Sequence, residues 1–259
     1  MTGCIKIKIL IGGFLFLILI GLGFFIMDIK KDNQPQPIII STEETDNSFI
    51  KPEENILPEA PQEKLPSQVL LTVPYINEAP SNNWTGPWKN ACEEASIAMV
   101  EMYYQGKTQV SIKEAEAYMQ TLFDKQDQLY GTNHDADTAR MLEIINTATS
   151  FKAIIKEKPT LEDIKKELLT SHPVITPLYG YDLKNPNIPF LRSGSYYHML
   201  VVIGYDDKTN EFIVNDTGDI KQGASHRYDY ELFLNSIHDF DFSTKKANGP
   251  ARVIFTSSR

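Results

Sequence analysis

Hydrophobic and polar positions divide the chain into three stretches. Residues 9–27 form an uncharged, apolar run of nineteen residues, and a helix of that length spans about 28 Å, close to the thickness of a bilayer core. Residues 32–67 have no sustained hydrophobic period and contain six prolines and eight acidic residues, which is typical of a solvated linker. Periodic segments begin after this linker. We therefore expect a transmembrane signal anchor over residues 1–31, a linker over 32–67 and one folded domain over 68–259.

The apolar run has two interpretations, a cleaved signal peptide or an anchor that is kept. The apolar part of a cleaved signal peptide usually has about 7–15 residues and ends in small residues, whereas this run is longer and ends in "FFIMDIKK". An uncleaved anchor is therefore expected. Lysines flank the run on both sides, but the acidic linker favours the outer face, because short cytoplasmic flanks tend to be rich in Lys and Arg. The expected product is a single-pass protein of the cell membrane with an extracytoplasmic domain.

The folded part of the chain changes from a helical pattern to a strand pattern. Three segments begin with a helix-capping residue and continue with helical spacing of apolar residues: "SIKEAEAYMQTLF", "DADTARMLEIINTA" and "TLEDIKKELLTS". Five segments are rich in β-branched and aromatic residues: "QVLLTVPY", which Pro74 ends, "PVITPL", "YHMLVVIGYD", "EFIVND" and "ARVIFTS". Helices followed by a largely antiparallel sheet predict an α+β fold.

Charge and composition limit the classes of function. The net charge of −9 and the isoelectric point near 5.1 argue against nucleic-acid binding, which needs clustered Lys and Arg. The chain has no GxxxxGK phosphate loop, and "NHDAD" lacks partners at a metal-site spacing. We therefore expect no cofactor and no metal. Cys92 is the one cysteine of the domain, because Cys4 precedes the apolar run, and a lone thiol outside the cell needs an explanation other than a disulfide.

Cys92 lies where a helix is predicted to begin. In "WKNACEEASIAMV", Asn90 is a suitable N-cap and Glu93 follows three residues later, so Cys92 is expected at the second helical position. Unpaired backbone N–H groups and the positive end of the helix dipole favour a thiolate there. One interpretation is a reactive cysteine with a pKa below its ordinary value of about 8.5. The other is a cysteine that only packs in the core.

His198 lies inside a predicted strand, whereas the other histidines lie in polar segments. It begins "HMLVVIGYD", and the turn "DDKTN" and the strand "EFIVND" follow, which predicts a β-hairpin. With a turn centred on Asp207, His198 is expected opposite Asp216, close enough for a hydrogen bond. A slip of one residue would bring Asn215 there instead, and asparagine can also orient a histidine. Cysteine, histidine and an orienting side chain suit nucleophilic acyl chemistry, although a buried histidine paired with an aspartate is also common.

Four motifs together resemble those of a known family. In chain order they are "VPYINEAPSNNW", "ACEEASIAMVEMYYQG", "HMLVVIGYDD" and "FIVNDTG". They are similar to motifs of the papain-like cysteine peptidases typified by bacteriocin-processing, double-glycine-leader peptidases, and especially of their stand-alone relatives. The resemblance covers residues 69–256. It implies a papain-like fold and a peptide or protein substrate, with Cys92 as nucleophile, His198 as base and Asp216 as third member.

Two departures from the family pattern affect the expected activity. Bacteriocin processors are often fused to a transporter with an ATPase, whereas this sequence has one apolar segment and no phosphate loop, so a double-glycine leader substrate is not implied. The family also carries a glutamine before the cysteine helix as an oxyanion donor, and Glu78 stands at the matching position. An ionised glutamate repels an oxyanion. Either Glu78 is protonated, or another donor such as Asn77 acts together with the Cys92 N–H.

Three classes of function follow from these residues. The first is a membrane-anchored, extracytoplasmic thiol hydrolase that cleaves peptide or amide bonds. The second is a cell-wall peptide hydrolase or transferase of the NlpC type, and the third is a non-catalytic peptide-binding domain in which Glu78 has removed the oxyanion hole. Trp84 and Trp88 precede Cys92 and are candidates for lining a cleft, with core or rim packing expected for at least one of them.

Overall fold

The computed structural model describes residues 65–132, 134–188, 196–219 and 221–259. The apolar run that the sequence predicts to cross the membrane lies outside these ranges, as does the linker up to residue 64. Within these ranges, no helix combines the length and the apolar character needed to cross a bilayer.

Helices and strands make up most of the described part of the chain. The α-helices are α1 (Cys92–Tyr104), α2 (Ile112–Tyr130), α3 (Thr138–Ala148), α4 (Leu161–Leu169) and α5 (Tyr230–Asn235). The strands are β1 (Gln68–Leu70), β2 (Phe151–Glu157), β3 (Val174–Tyr179), β4 (Tyr197–Asp206), β5 (Glu211–Asp216), β6 (His226–Asp229) and β7 (Arg252–Ser258). Two short 3₁₀ helices, Gly86–Asn90 and Gly180–Leu183, precede α1 and follow β3.

Capping side chains start three helices where the sequence predicts them. Ser111, Asp137 and Thr160 each accept a backbone N–H from the first turn of α2, α3 and α4, respectively. Thr160 also forms a complete capping box with Asp163. A side-chain acceptor satisfies one of the N–H groups that a helix start leaves without an intrahelical partner. These three helix starts are therefore confirmed.

The strands of the described residues form one antiparallel sheet in the order β2-β7-β3-β4-β5-β6, with β1 paired to the last residues of β4. Helices α1, α2 and α3 pack on one face, where they meet Met199 and Val201 of β4. Helices α4 and α5 pack on the other face, against Leu200 and Val202. Strand β4 is therefore buried on both sides, as its continuous apolar pattern indicates. The predicted α+β class, with an antiparallel sheet, is confirmed.

Helix α1 is buried along almost its whole length. Every residue from Cys92 to Met102 is buried, and the helix packs against β4. Three glutamates, Glu93, Glu94 and Glu101, lie in this buried stretch. Because a buried carboxylate loses its hydration, these side chains affect the electrostatics around the start of α1.

The predicted register of the β4–β5 hairpin is wrong by two residues. Leu200, not His198, lies opposite Asp216. The turn is longer than expected and covers residues 207–210, and a β-bulge after Val202 adds one residue to β4. Side chains alternate between the two faces of a strand, so an even displacement keeps His198 on the same face as Asp216. The two residues are diagonal neighbours rather than a directly opposed pair.

The extent of some strands also differs from the prediction. Strand β1 ends at Leu70 and does not continue to Pro74. It lies so close to β4 that a Cβ on Gly204 would come within 2.3 Å of the Val69 carbonyl oxygen, so this position needs glycine. Strand β2 was not predicted and lies between α3 and α4. Helices and strands are therefore less separated along the chain than the pattern indicated.

Candidate active site

Cys92 is the first residue of α1, not the second. Ala91 is the N-cap, and no side chain caps this helix, because Asn90 belongs to the preceding 3₁₀ helix. The predicted capping box of Asn90 and Glu93 therefore does not form. Cys92 still lies in the first turn, where backbone N–H groups have no intrahelical acceptor.

The Cys92 thiol donates a hydrogen bond to a buried carboxylate. Its Sγ lies 3.0 Å from Oε2 of Glu93. The other oxygen, Oε1, accepts the backbone N–H of Ala136 at 2.9 Å. Glu93 is only 1% exposed and Cys92 only 5%. Glu93 thus connects α1 to the loop before α3 and holds the thiol as a hydrogen-bond donor.

His198 and Asp216 are in direct contact. His198 Nε2 lies 2.8 Å from Asp216 Oδ1, and both side chains are fully buried. Asp216 also accepts the backbone N–H of Gly218 on Oδ1 at 3.1 Å and the hydroxyl of Tyr228 on Oδ2 at 2.6 Å. Burial by itself would raise the pKa of Asp216, but the charge of His198 and these hydrogen bonds hold the pKa below its ordinary value. Asp216 is therefore an ionised acceptor that fixes the imidazole ring.

Asn215, the alternative partner that a slip would bring to His198, makes other contacts. Its amide nitrogen donates to the Val73 carbonyl at 3.1 Å, and its Oδ1 accepts the Ser225 N–H at 3.2 Å. Successive residues of a strand project to opposite faces. The partner of His198 is Asp216, therefore, and Asn215 ties β5 to neighbouring loops.

Glu78 lies at the centre of the same site. One side-chain ligand atom each from Glu78, Cys92 and His198 lie within 4.8 Å of one another, and all three residues are buried. The Glu78 backbone N–H donates to the Thr217 carbonyl at 3.0 Å. This bond ties the segment before α1 to the end of β5, next to Asp216. Parts of the chain far apart in sequence thus meet around one point.

The environment of Glu78 favours its protonated form. Burial has the largest effect, and the charges of Asp216 and Glu93 add to it, so the pKa of Glu78 is well above its ordinary value. Its Oε1 has no hydrogen-bond partner among the described residues. A protonated carboxyl can donate a hydrogen bond, as the family's glutamine does, whereas a carboxylate only accepts.

Asn77, the other oxyanion donor considered from the sequence, is occupied elsewhere. Its amide nitrogen donates to the Thr217 carbonyl at 2.8 Å and to the Tyr75 hydroxyl at 3.2 Å. Its Oδ1 accepts the Ala79 N–H at 2.8 Å. Asn77 therefore shapes the turn that presents Glu78 and is not the donor.

The pKa of the Cys92 thiol is raised, whereas the sequence predicts a lowered pKa. Burial, the charges of Glu93 and Glu78 and the hydrogen bond to Glu93 raise the pKa of Cys92 well above its ordinary value. Burial and the charge of Asp135 also raise the pKa of Glu93, to about 7. The prediction of a lowered thiol pKa relied on the helix start and on His198. Burial and the nearby carboxyl groups have a larger effect on the thiol pKa than the helix start and His198 do.

The two tryptophans before α1 have different environments. Trp84 lines a cleft of about 690 Å³ that also contains Cys92 and His198. Trp88 packs edge to face on Phe123, with ring centroids 5.2 Å apart, beside the core of the helical half. As expected, at least one tryptophan has a packing role, and Trp84 lines the cleft.

Two residues of the site were not identified from the sequence. The sequence pattern predicts only a capping role for Glu93 and no role for Tyr228. The adjacent charges of "CEEAS", within a helix that is otherwise apolar, were a usable signal for Glu93. Tyr228 lies in "SHRYDY", on the unpredicted strand β6, and nothing in that stretch distinguishes it from a surface tyrosine.

The side chains of Glu78, Cys92 and His198 could serve either metal binding or nucleophilic catalysis. Among the described residues, Glu78, Cys92 and His198 are the one set of His, Cys, Asp and Glu side chains close enough to share a metal ion. The sequence offers only "NHDAD" as a candidate metal segment, and there Asp137 serves as a helix cap. The same three side chains also suit a nucleophile, its base and a group beside the reacting carbonyl, with Asp216 behind the base. A cysteine at a helix start beside a histidine of an antiparallel sheet is the arrangement of the papain-like cysteine peptidases.

The chain belongs to the Peptidase_C39-like family, whose family model matches residues 70–242. Membership in this family of cysteine peptidases agrees with the α+β, papain-like fold described above, and it confirms the resemblance that the four sequence motifs indicated. No curated protein matches the chain.

Several solved structures are similar to this chain. One is assigned as a C39-like peptidase from Bacillus anthracis, with 14% identity, a TM-score of 0.48, and coverage of 74% of this chain and 98% of that chain. A second is the peptidase domain of Streptococcus ComA, a bifunctional ABC transporter involved in a quorum-sensing pathway, with 16% identity, a TM-score of 0.37 and coverage of 74% and 98%. A third is xylellain, a cysteine protease from Xylella fastidiosa, with 13% identity, a TM-score of 0.33 and coverage of 76% and 88%.

Proposed function

We propose that this protein is a thiol hydrolase that cleaves peptide or amide bonds, with Cys92 as nucleophile, His198 as base and Asp216 as the group that orients the base. The observation that carries the proposal is the 2.8 Å contact between His198 and Asp216, next to a cysteine whose Sγ lies within 4.8 Å of a ring nitrogen of His198. Cys92 and His198 line one cleft. Membership in a cysteine peptidase family supports a peptide or protein substrate.

The hydrogen bond to Asp216 determines which histidine nitrogen acts as base. Because Asp216 is ionised and accepts from Nε2, the imidazole hydrogen is on Nε2, and Nδ1 is left to take a proton from Cys92. As the Sγ–C bond forms, the thiol proton passes to Nδ1 and the carbonyl electron pair moves to oxygen. Collapse of this intermediate breaks the C–N bond, and the leaving amine takes the proton from His198.

The thioester is then hydrolysed by the same base. His198 takes a proton from a water molecule, whose oxygen adds to the thioester carbonyl. Collapse of the second intermediate breaks the C–S bond and releases a carboxylic acid, and the sulfur regains its proton from His198. Water and the substrate bond are the only reactants consumed, so the cycle needs no cofactor.

The raised pKa of Cys92 requires the proton to leave as the sulfur attacks. A thiol in this environment is protonated at neutral pH, and it donates to Glu93. Rotation of the thiol from Glu93 toward His198 lets proton transfer and attack occur together. In this respect the site differs from one that holds a preformed thiolate and imidazolium pair.

A protonated Glu78 supplies one oxyanion donor in this scheme, and the Cys92 backbone N–H supplies the second. The carboxyl proton replaces the amide hydrogen of the family's glutamine at the same position. An oxyanion donor contributes about 10²–10³-fold to turnover. The activity of this enzyme therefore depends on the protonation of Glu78.

The alternative is a non-catalytic peptide-binding domain. Two observations favour it: the glutamate at the oxyanion position and the high pKa of the thiol. A hydrolase and a non-catalytic domain would both bind peptides in this cleft, so a binding assay does not distinguish them. A turnover assay distinguishes them.

The experiment is a hydrolysis screen with the full chain in detergent. Purified wild type, Cys92→Ala and Ser96→Ala are incubated with a fluorogenic peptide library and with cell-wall muropeptides. Ser96 also lies in α1 and donates to the Cys92 carbonyl, so it controls for disturbance of the helix. We expect wild type and Ser96→Ala to release products and Cys92→Ala to release none. Turnover that survives Cys92→Ala contradicts the mechanism, and turnover of muropeptides alone moves the assignment to the NlpC-type activity.

The proposal includes a location, which rests on the sequence. The apolar run over residues 9–27 and the acidic linker that follows support a single-pass anchor with the hydrolase domain outside the cell membrane. Substrates would then be peptides or proteins at the outer face of the membrane.

A further inference from the structure

The cleft around Cys92 has an aromatic wall. Trp84, Tyr196 and Phe240 all line it. Phe240 is held by edge-to-face contacts with Tyr197 and Phe242, whose ring centroids lie 5.3 and 4.9 Å away. A fixed aromatic surface beside a nucleophile suits an apolar or aromatic side chain of a substrate, because such rings bury large areas at low entropic cost.

Two lysines, Lys89 and Lys245, line the same cleft from exposed positions. Neither forms an ion pair with another described residue. What distinguishes these two lysines is their place, because both line the cleft that contains Cys92 and His198. Two cations without counter-ions at one cleft leave a local site for a negative charge.

The backbone around Lys245 is fixed by its own turn. Lys245 has a φ of 55° and donates its N–H to the Asp241 carbonyl at 2.7 Å. The Asp241 carboxylate accepts from Ser243 and Thr244 within this turn. Asp241 thus shapes the loop, and no ion pair joins it to Lys245. The second lysine, Lys89, belongs to the 3₁₀ helix that leads into α1.

Two acidic residues, Glu78 and Asp135, also line the cleft. Burial raises the pKa of Glu78 well above its ordinary value and also raises the pKa of Asp135. A raised pKa favours the protonated form of a carboxyl group. Neither carboxyl group forms an ion pair with Lys89 or Lys245.

We propose that the cleft selects peptides in which an aromatic or aliphatic residue lies next to a carboxylate, either an acidic side chain or a free C-terminus, close to the scissile bond. Trp84 and Phe240 contact the apolar side chain, and Lys89 and Lys245 bind the carboxylate. Both lysines are specificity residues and take no part in bond cleavage. This inference rests on the proposed hydrolase function, but it also makes a claim about binding that does not require turnover.

The test uses the full chain in detergent and matched peptides that differ only by Glu, Gln or Lys beside an aromatic residue. Hydrolysis is measured for wild type, Lys89→Glu, Lys245→Glu and Lys208→Glu. Lys208 is the matched control, because it is an exposed lysine beyond the opposite end of β4 from His198. Binding of the same peptides is measured by fluorescence anisotropy with Cys92→Ala. A peptide that ends at the apolar residue separates a free carboxylate from an acidic side chain.

We expect wild type to prefer the Glu peptide over the Gln and Lys peptides through KM. Exposed ion pairs contribute little to binding, so each cleft-lysine variant should raise KM for the Glu peptide about 2–5-fold. The kcat for the Glu peptide and the KM for the Gln peptide should change little. Lys208→Glu should behave as wild type. If wild type prefers the peptide that ends at the apolar residue over the peptide with an internal Glu, the carboxylate that the lysines bind is the C-terminal one.

The possible failures are distinguishable. If hydrolysis is equal for the three peptides, or if Lys208→Glu has the same effect as the cleft variants, the specificity inference is wrong while the hydrolase stands. If wild type cleaves nothing, but Cys92→Ala binds the Glu peptide more tightly through the two lysines, the inference stands and the hydrolase fails. Absence of both turnover and binding overturns both.

Discussion

His198 and Asp216 are hydrogen-bonded at 2.8 Å although they are not opposed in the β4–β5 ladder. Leu200 is directly opposite Asp216, and His198 reaches the carboxylate from the next position on the same face. Diagonal neighbours on an antiparallel pair lie within reach of long side chains. The contact uses Nε2, and in the proposed mechanism the other ring nitrogen, Nδ1, takes the proton of Cys92.

Asp216→Ala should therefore remove most of the turnover. Alanine offers no acceptor to Nε2, so the ring loses the bond that fixes its tautomer and orientation, and loss of this function lowers kcat by up to about 10⁴-fold in a comparable triad. Steady-state kinetics of the full chain measures the loss. Asp207→Ala, in the turn at the other end of the hairpin, is the control and should leave kcat unchanged. A variant with more than a tenth of wild-type kcat would show that Asp216 does not orient the base.

Tyr228→Phe should lower kcat by a smaller factor and leave KM unchanged. The Tyr228 hydroxyl donates to Asp216 Oδ2 at 2.6 Å and accepts from the Asn185 amide at 2.8 Å, so it positions the carboxylate without touching substrate. Loss of this donor raises the pKa of Asp216. The acidic limb of the pH–rate profile should then move to higher pH. Tyr230→Phe, whose hydroxyl bonds Asp207 instead, is the matched control, and an identical pH profile for both variants would exclude the positioning role.

The sequence predicted those parts of the fold that depend on local chemistry. Ser111, Asp137 and Thr160 cap their helices with hydrogen bonds to residues three positions away. Such bonds depend only on neighbouring residues, so they can be predicted without the rest of the fold. The residues of the His198–Asp216 contact were also predicted, but not its register. The register depends on a β-bulge and on the length of a turn, and neither has a distinct pattern in this sequence.

The electrostatics of the site were not predictable from local sequence. The dipole of a helix start is a local property, and by itself it favours a thiolate at Cys92. Burial and the adjacent Glu93 have the largest opposing effects, and two further groups, Glu78 and Asp135, come from segments on either side of α1 and act only once the fold brings them together. Burial of the sulfur is likewise a property of the whole domain. For this reason the sequence predicts Cys92 in the first turn of a helix correctly, but the direction of its pKa shift wrongly.

Glu93→Gln should make the Cys92 thiol more reactive at neutral pH. The groups that face this thiol are Glu93, Glu78, Asp135 and His198, and Glu93 contributes the largest charge effect after burial. The pKa of Glu93 is about 7, so above that pH the residue is a carboxylate that opposes thiolate formation. Its removal lowers the thiol pKa, and the rate of iodoacetamide alkylation should rise at lower pH than in wild type.

Glu101→Gln provides the comparison for this measurement. Glu101 is another buried glutamate of α1, but its carboxylate bonds Gln105 and Ser150, not the thiol. Its alkylation profile should match that of wild type. If Glu93→Gln slows alkylation instead, Glu93 assists loss of the thiol proton and the proposed role of the carboxylate is reversed.

The membrane proposal predicts that the full chain is recovered with the cell membrane and that protease treatment of intact cells removes its domain. A variant that lacks residues 9–27 should lose the membrane association, because the run supplies the apolar length needed to cross a bilayer. Cell fractionation and protease shaving check both statements. Recovery of the full chain in the cytoplasmic fraction, protected from protease, would refute the proposed location.

The pH dependence of kcat/KM for wild type and Glu78→Gln tests the account most directly. The groups that act on Glu78 are Asp216 from β5 and Glu93 from α1, and they raise its pKa in addition to the effect of burial. The protonated form is the oxyanion donor, so activity is present below the raised pKa and is lost as the pH rises through it. Glutamine donates at every pH. The account predicts an alkaline decline in wild type that Glu78→Gln lacks, with similar rates for both at lower pH, where loss of one donor would cost about 10²–10³-fold. The same alkaline decline in both proteins, or a folded Glu78→Gln as inactive as Cys92→Ala, would contradict it.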